Sequence, residues 1–468
     1  MRGLVLMVQA FSIASPNNRG ASRRPSGRPP LIDVASQIEK IFTSHSLPDA
    51  LDAIRMLGRL DKRQPFDFER SSSSSIRKVE GLFSRSLANN VMDKVEELEM
   101  STEADSVDGQ PSYHMSLVAN GEKMDSDGIG NLLSLVDEAV YGDLLPIARE
   151  MMDNDKIIVS DVFLRRYGSY EINGLGRRSG IMGHYDCYSV VTAVVALDDV
   201  SAQGSNGLFT IELDEENDKS CHISCRRFFP LEIGDAVMHD WKTLHGVDVE
   251  PNKDRTSLVV WFSVEGQQRE TVPNWISSGK IGDFVKGIAS ESAHSYIGET
   301  HPHDLYISSA ALGNPFAMNR LGGLLEEEAL SPERVAIVGD LLKELKGLPR
   351  CCLNGDEDCC TSLARRAWYQ SALNGMAMAL SSLGDEIMGD ILWGEDVENG
   401  NVEKVDDMLI FAAKSIGLAA QQGHPEAVNC AKEILASKNT FLTSEECGKR
   451  IRSIEQVAEI LKACISTI

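Results

Sequence analysis

The sequence has no run of 18 apolar residues anywhere, which predicts that no helix crosses a membrane. Positive charge is also in short supply. Lysine and arginine total 46 against 70 aspartates and glutamates, a formal net charge of −24. That balance excludes an extended phosphate-binding face, so nucleic acid is not an expected partner; it suits a basic protein partner and, more generally, solubility. Cysteine is missing until Cys187. Acidic residues are missing from positions 1–32, the first being Asp33, while the same stretch carries Arg2, Arg19, Arg23, Arg24 and Arg28. A Ser- and Arg-rich, acid-free leader has the composition of a transit peptide, with Gly3–Val8 as a short apolar run ahead of it. The expected location is then an organelle, plastid or secretory; if 1–32 is instead a disordered tail, it is the cytoplasm.

With 468 residues, 42% of them hydrophobic, the chain has enough for two or three domains. Ile32, Val34, Ile38, Ile41 and Phe42 recur at helical spacing, as do Leu51, Ile54, Leu57 and Leu60. After the Ser71–Ser75 run, Ile76 is expected to open another helix through Val91, Val95 and Leu98. Ser101–Gln110 is expected to be a linker, and 130–152 an amphipathic helix.

The chemistry concentrates between Ile181 and Ser263. His184 and Asp186 are two apart, so on an extended segment both side chains face the same way. His245 is a third donor, which a closed β fold can return beside them; His239, also near a strand end, competes for that role. Two imidazoles and one carboxylate on one face of a metal suit non-heme Fe(II) that activates oxygen. Between and after them come strand-like runs: 189–197, 206–213, 230–237, and 257–262, the last opened by Arg255.

The order of these pieces resembles the catalytic core of the 2-oxoglutarate- and Fe(II)-dependent dioxygenases, in their prolyl-hydroxylase-like branch, over about 105 residues. The resemblance implies an α+β fold whose core is a double-stranded β-helix, or jelly roll, braced by flanking helices. It implies His184, Asp186 and His245 as iron ligands, with no catalytic residue beyond them. It implies Arg255, ten positions past His245, as the anchor for the far carboxylate of 2-oxoglutarate. The cofactors are then Fe(II), 2-oxoglutarate and O2, with ascorbate compatible, and the products succinate, CO2 and a hydroxylated substrate, expected to be a protein side chain. Collagen-type prolyl hydroxylases usually place tyrosine where this chain has Ile181, and lysine where it has Arg255. The rival expectations are a catalytically silent scaffold and an oxygenase of a small metabolite.

Downstream, an A-x-x-G-x-x-x-A pattern occurs at Ala310–Ala317, Ala372–Ala379 and Ala420–Ala427. Glycines at tight turns and alanines at close helix contacts resemble the tetratricopeptide-like Sel repeats, which implies an all-α helical-repeat domain that recruits a protein substrate or partner. Cys351-Cys352 and Cys359-Cys360 bracket an acidic turn, where free thiols are expected, or a disulfide if the chain is exported. The expected plan is a targeting or disordered segment at 1–32 and helices over 33–115. The dioxygenase core follows at 116–268, a connector at 269–304 and the repeats at 305–468.

Overall fold

The first regular element, α1 (Val34–Thr43), buries Val34, Ile38, Ile41 and Phe42 on one face. After it, α2 (Leu47–Gly58), with proline in its first turn, buries Leu51, Ile54 and Leu57. The computed structural model describes residues 33–69, 75–98, 100–105, 107, 110–124, 126–168, 178–211, 220–268, 271–292, 300–345, 348–349, 352, 359–393, 402–443 and 451–466. The expected targeting segment, Cys351 and the acidic turn at 354–358 lie outside the described residues. Cys359 caps a helix, its sulfur accepting from the Ser362 amide.

The region expected to be helical also carries strands: β1 (Gln64–Pro65) and β2 (Ile76–Val79), then α3 (Arg85–Leu98) and β3 (Ser101–Ala104). Ile76–Val79 corrects the expected helix start. Ile76 packs on one hydrophobic cluster and Val79 on another, as an odd spacing on a strand requires, and Gly81 at φ +61° follows. Ser101–Ala104 corrects the expected linker. Its polar sequence is that of a largely exposed strand at a sheet edge.

Next come β4 (Pro111–Ala119), β5 (Glu122–Lys123), α4 (Asp127–Asp137), a π-helical turn (Glu138–Leu144) and α5 (Leu145–Met152). The β core continues with β6 (Ile157–Tyr167), β7 (Gly180–His184), β8 (Val191–Ala196), β9 (Gly207–Thr210) and β10 (Arg227–Phe228). It closes with β11 (Ala236–Asp240), β12 (His245–Asp248) and β13 (Arg255–Val264). The strand expected over 230–237 starts only at Ala236, because Glu232–Asp235 forms a turn in which Asp235 accepts the Glu232 amide.

These strands make two sheets. The larger runs β2-β11-β8-β13-β6-β4-β3, with β5 paired to β4, and the smaller runs β1-β10-β9-β12-β7. Among the described residues every pairing is antiparallel except β1 with β10. Alternation along the strands sorts the side chains. Val194 and Val237 from the large sheet meet Leu208, Val247 and Ile181 from the small one in an inner cluster. Ala193, Val195, Met238, Leu258, Val260 and Phe262 face outward into a second cluster shared with the helices. Two antiparallel sheets packed face to face form the expected jelly-roll sandwich.

After β13 the regular elements among the described residues are all helices. The stretch expected to be a polar connector contains α6 (Lys280–Ser292), where Ile281, Phe284 and Val285 are buried. Then follow α7 (Pro302–Ala311), α8 (Pro315–Glu326), α9 (Pro332–Lys343), α10 (Cys360–Leu373) and α11 (Ala377–Trp393). The last three are α12 (Val402–Gln421), α13 (Pro425–Thr443) and α14 (Ile451–Ile465). Gly313, Gly375 and Gly423, the glycines of the three repeated patterns, share φ of +82°, +82° and +83°. Each donates its amide at 2.8 Å to the carbonyl three residues before it. This left-handed position favours glycine, which has no Cβ to clash.

Residues Val34–Ile468 form one compact unit, and the helices at its two ends meet. The Phe42 ring lies 5.5 Å from Tyr369 and 4.8 Å from Phe411. Gln421 Nε2 donates to the Ile54 carbonyl at 3.0 Å, and Lys414 Nζ to that of Ser44 at 3.2 Å. Ile38, Ile41, Ile54 and Leu57 are fully buried there, each contributing about 1.5–3 kcal/mol relative to exposure.

Candidate metal centre

His184 ends β7, and an irregular register aims it. His245 pairs with His184 and Val247 with Ile181, so Gly246 alone faces Met182 and Gly183. Such a bulge shifts the alternation by one residue, and His184 comes onto the same face as Ile181. Gly246 must lack a side chain here: a Cβ would lie 2.7 Å from the Ile181 carbonyl oxygen and 2.6 Å from Phe209.

The structure brings His184, Asp186 and His245 together, with one donor atom from each within 4.8 Å of the others. His184 Nε2 lies 3.7 Å from Asp186 Oδ1, and His245 Nε2 lies 3.4 Å from Asp186 Oδ2. Ligands about 2.1 Å from an ion and at right angles are separated by about 3 Å, so this spacing fits a small divalent cation. Each ring is oriented by its other nitrogen: His184 Nδ1 donates to the Met182 carbonyl at 2.9 Å and His245 Nδ1 to that of Thr243 at 3.1 Å. Both Nε2 lone pairs are thereby left bare. Thr192 Oγ1 donates to Asp186 Oδ2 at 2.6 Å.

The protonation states agree with this geometry. Burial pushes the His245 imidazole well below its ordinary range. Burial alone would raise the Asp186 carboxyl, but the imidazoles of His245, His184 and His239 and the Thr192 hydrogen bond outweigh it and hold it low. A carboxylate held in its charged form is the state a metal ligand needs.

His239, the competing donor, is buried on β11 with its ring 4.1 Å from that of His245. Its Nδ1 donates to the Asp240 carbonyl, while its Nε2 is buried without a partner. It packs against the triad but is not part of the convergent group. His239 and Trp261 both pair with Thr192 across the large sheet, so these three form one row on the inner face.

Arg255 opens β13 opposite Tyr167 on β6, and both are buried. Burial lowers the guanidinium, partly offset by Asp198 and the Tyr167 phenol. Arg255 Nε donates to Ser201 Oγ at 3.3 Å, but its Nη2 is buried with no partner. Gly207 leaves it space: a Cβ there would lie 2.7 Å from Arg255 Nε. A buried guanidinium with an unmet donor fits a carboxylate ligand, so the residues present suit both a divalent iron and 2-oxoglutarate. The contributions of Thr192, Tyr167 and Trp261 were not foreseen from sequence. They sit on strands whose register alone brings them here.

No family model matches the chain, and no curated protein matches it. Solved structures similar to it include an oxidoreductase of the 2OG-Fe(II) oxygenase family from Burkholderia pseudomallei. That match has 12% identity, covers 47% of this chain and 92% of that one, and has a TM-score of 0.30. A prolyl hydroxylase from Trichoplax adhaerens, in complex with a hypoxia inducible factor oxygen degradation domain peptide fragment, matches at 13% identity. It covers 48% of this chain and 99% of that one, with a TM-score of 0.32. The viral collagen prolyl hydroxylase of Paramecium Bursaria Chlorella virus-1, in its 2OG complex, matches at 12% identity, 41% and 97% coverage and a TM-score of 0.27.

Proposed function

We propose that the chain is an Fe(II)- and 2-oxoglutarate-dependent dioxygenase that hydroxylates a C–H bond on a protein side chain. The observation that carries this reading is the pairing of two features. One is a convergent His184–Asp186–His245 triad, and the other is a buried Arg255 with an unmet guanidinium donor. A metal-binding jelly roll with some other task has no need of the second. In balance, the substrate R–H, O2 and 2-oxoglutarate give R–OH, succinate and CO2. Iron and the co-substrate, when bound, supply the oxygen activation.

The chain's own residues hold and orient. His184 Nε2, His245 Nε2 and an Asp186 oxygen hold the ion, and Thr192 fixes the Asp186 carboxylate. Arg255 takes the far carboxylate of the co-substrate as a planar fork, beside the Tyr167 phenol. The inner cluster of Val194, Val237, Leu208 and Val247 keeps water from the buried end of the sandwich. Protein rather than metabolite as substrate is supported by the three matched glycine turns, whose helices meet the β core beside β7.

The test is succinate release from 2-oxoglutarate by iron-loaded protein, with and without peptide pools from cell extract. Mass spectrometry then seeks a product heavier by one oxygen atom. Failure to bind either iron or 2-oxoglutarate would overturn the reading in favour of a silent scaffold.

A further inference from the structure

Between the outer face of the small sheet and the turns of the helical region lies a cavity of about 200 Å3. Its β wall is Phe209, Ile211 and the bulge residues Met182 and Gly183, immediately before His184. Leu208 faces the inner cluster, so Phe209 faces out. The opposite wall comes from residues near the three repeated glycines: Phe316 after Gly313, Met376–Met378 after Gly375, and Gln422, His424 and Pro425 around Gly423.

The turns are fastened to the core by hydrogen bonds. The Cys221 amide donates to the Asn374 carbonyl at 2.7 Å, as does Ser220 Oγ, and the Ile223 amide donates to Gln422 Oε1 at 3.1 Å. The opening, by contrast, is apolar and unfilled. Met182 and Met378 line it and are 43% and 37% exposed, two of the few large hydrophobic side chains left in solvent among the described residues. Thioethers on flexible stems are suited to moulding around a variable apolar guest.

Three polar groups lining the cavity, Gln422, Arg226 and His424, each have a buried atom without a partner and limit what that guest can be. Gln422 is 7% exposed, and with Oε1 engaged its Nε2 is buried without a partner. Arg226 lies over the Phe209 ring at 4.4 Å and is paired to Asp248 through Nη1, while its Nε is likewise buried without a partner. Gln422 and Arg226 offer N–H donors, and the His424 Nδ1 can take either role, so the matching ligand carries an oxygen acceptor on an apolar body. Size then decides between classes. Small-molecule sites usually have volumes of about 300–1,000 Å3, larger than this cavity. One leucine- or methionine-sized side chain with its own peptide carbonyl is the better fit.

We infer that this cavity is a recognition pocket for an apolar side chain of the polypeptide substrate. Lying outside the sandwich but on the strand that carries His184, it takes a residue flanking the one that reacts. The substrate is thereby read jointly by the β core and the helical turns. This placement rests on the dioxygenase reading; the pocket's ligand chemistry does not.

The test uses the full chain with 13C-methyl methionine, whose 16 methionines give separate reporters. The probes are N-acetyl-leucine methylamide and N-acetyl-aspartate methylamide. The leucine probe should shift the Met182, Met376 and Met378 methyl signals saturably, and the aspartate probe should not. Met378→Asp and Met182→Asp, both at exposed side chains, should weaken the leucine probe at least tenfold without lowering the melting temperature. Absence of those shifts, equal shifts with both probes, or unchanged affinity in both variants overturns the pocket. Iron retention and 2-oxoglutarate binding are measured on the same samples. Their failure sinks the dioxygenase reading while leaving the probe result to stand or fall separately.

Discussion

Thr192 Oγ1, on a central strand of the large sheet, donates to Asp186 Oδ2 at 2.6 Å. The hydroxyl leaves that carboxylate one orientation. Thr192→Val keeps the shape and removes the donor, and iron affinity should fall about 10- to 100-fold, the usual effect of losing an outer partner of a metal ligand. Thr192→Ser should restore most of it. Metal titration under anaerobic conditions reads both, and equal affinity in Thr192→Val and wild type would refute the role.

His245→Ala should abolish iron retention, since it removes one of three convergent donors. His239→Ala should retain most of the metal and most turnover, because His239 is not part of the convergent donor group. Metal analysis after desalting separates the two, and exchanged outcomes would reassign the ligand.

Arg255→Ala should weaken 2-oxoglutarate by about 2–5 kcal/mol, the range for truncating one side of a buried charge pair. That is roughly 30- to several-thousand-fold, with iron affinity unchanged. Arg255→Lys keeps the charge without the fork and should show a modest loss. Identical 2-oxoglutarate binding by wild type and Arg255→Ala in calorimetry would remove the co-substrate from this site.

The buried His222 imidazole, which accepts from the Ser224 amide through Nδ1, is pushed down to about 3 by burial and by nearby Lys62 and Arg226. Its ordinary value is 6.5. Between these values the unfolded chain holds a proton that the folded chain does not, so stability falls as pH falls. The slope from this one group is about 1.4 kcal/mol per pH unit. His222→Asn keeps an acceptor for the Ser224 amide and cannot titrate, so its urea midpoint should depend less on pH between 6 and 4. Parallel pH profiles would show that His222 is not the group responsible.

Two glycines with almost the same backbone separate strain from crowding. At Gly423 a Cβ meets nothing within 4 Å, so Gly423→Ala should cost only the left-handed penalty of about 1–2 kcal/mol. At Gly375 a Cβ would lie 2.7 Å from Ser220 Oγ and 2.9 Å from His222 Cβ. Gly375→Ala should therefore be the more destabilising in denaturant titrations, and equal losses would mean the turn is not pressed against the core.

Local signals in the sequence carried far. His184 and Asp186 sit two apart, so their shared face could be read without knowing the fold, whereas Arg255 was singled out only by the family resemblance. Thr192, Tyr167 and Trp261 could not, because each owes its place to a cross-strand register. The spacing of Ile76 and Val79 fits a helix and a two-faced strand equally well, and pairing with β11 decides it. Ser101–Ala104 was hidden for another reason: an edge strand with a solvated face has the composition of a loop.

The meeting of α1 and α2 with the far helices also sets a timetable for assembly. Gln421 and the Ile54 carbonyl it holds are 367 positions apart in the chain. At translation speeds of about 5–20 residues per second, that interval is roughly 20–70 s. During it the first helices leave the ribosome with Phe42, Ile54 and Leu57 uncovered, well before Phe411 and Gln421 exist. The contact set of α2 is completed later still, because α14, the last of the described helices to be made, also packs on it.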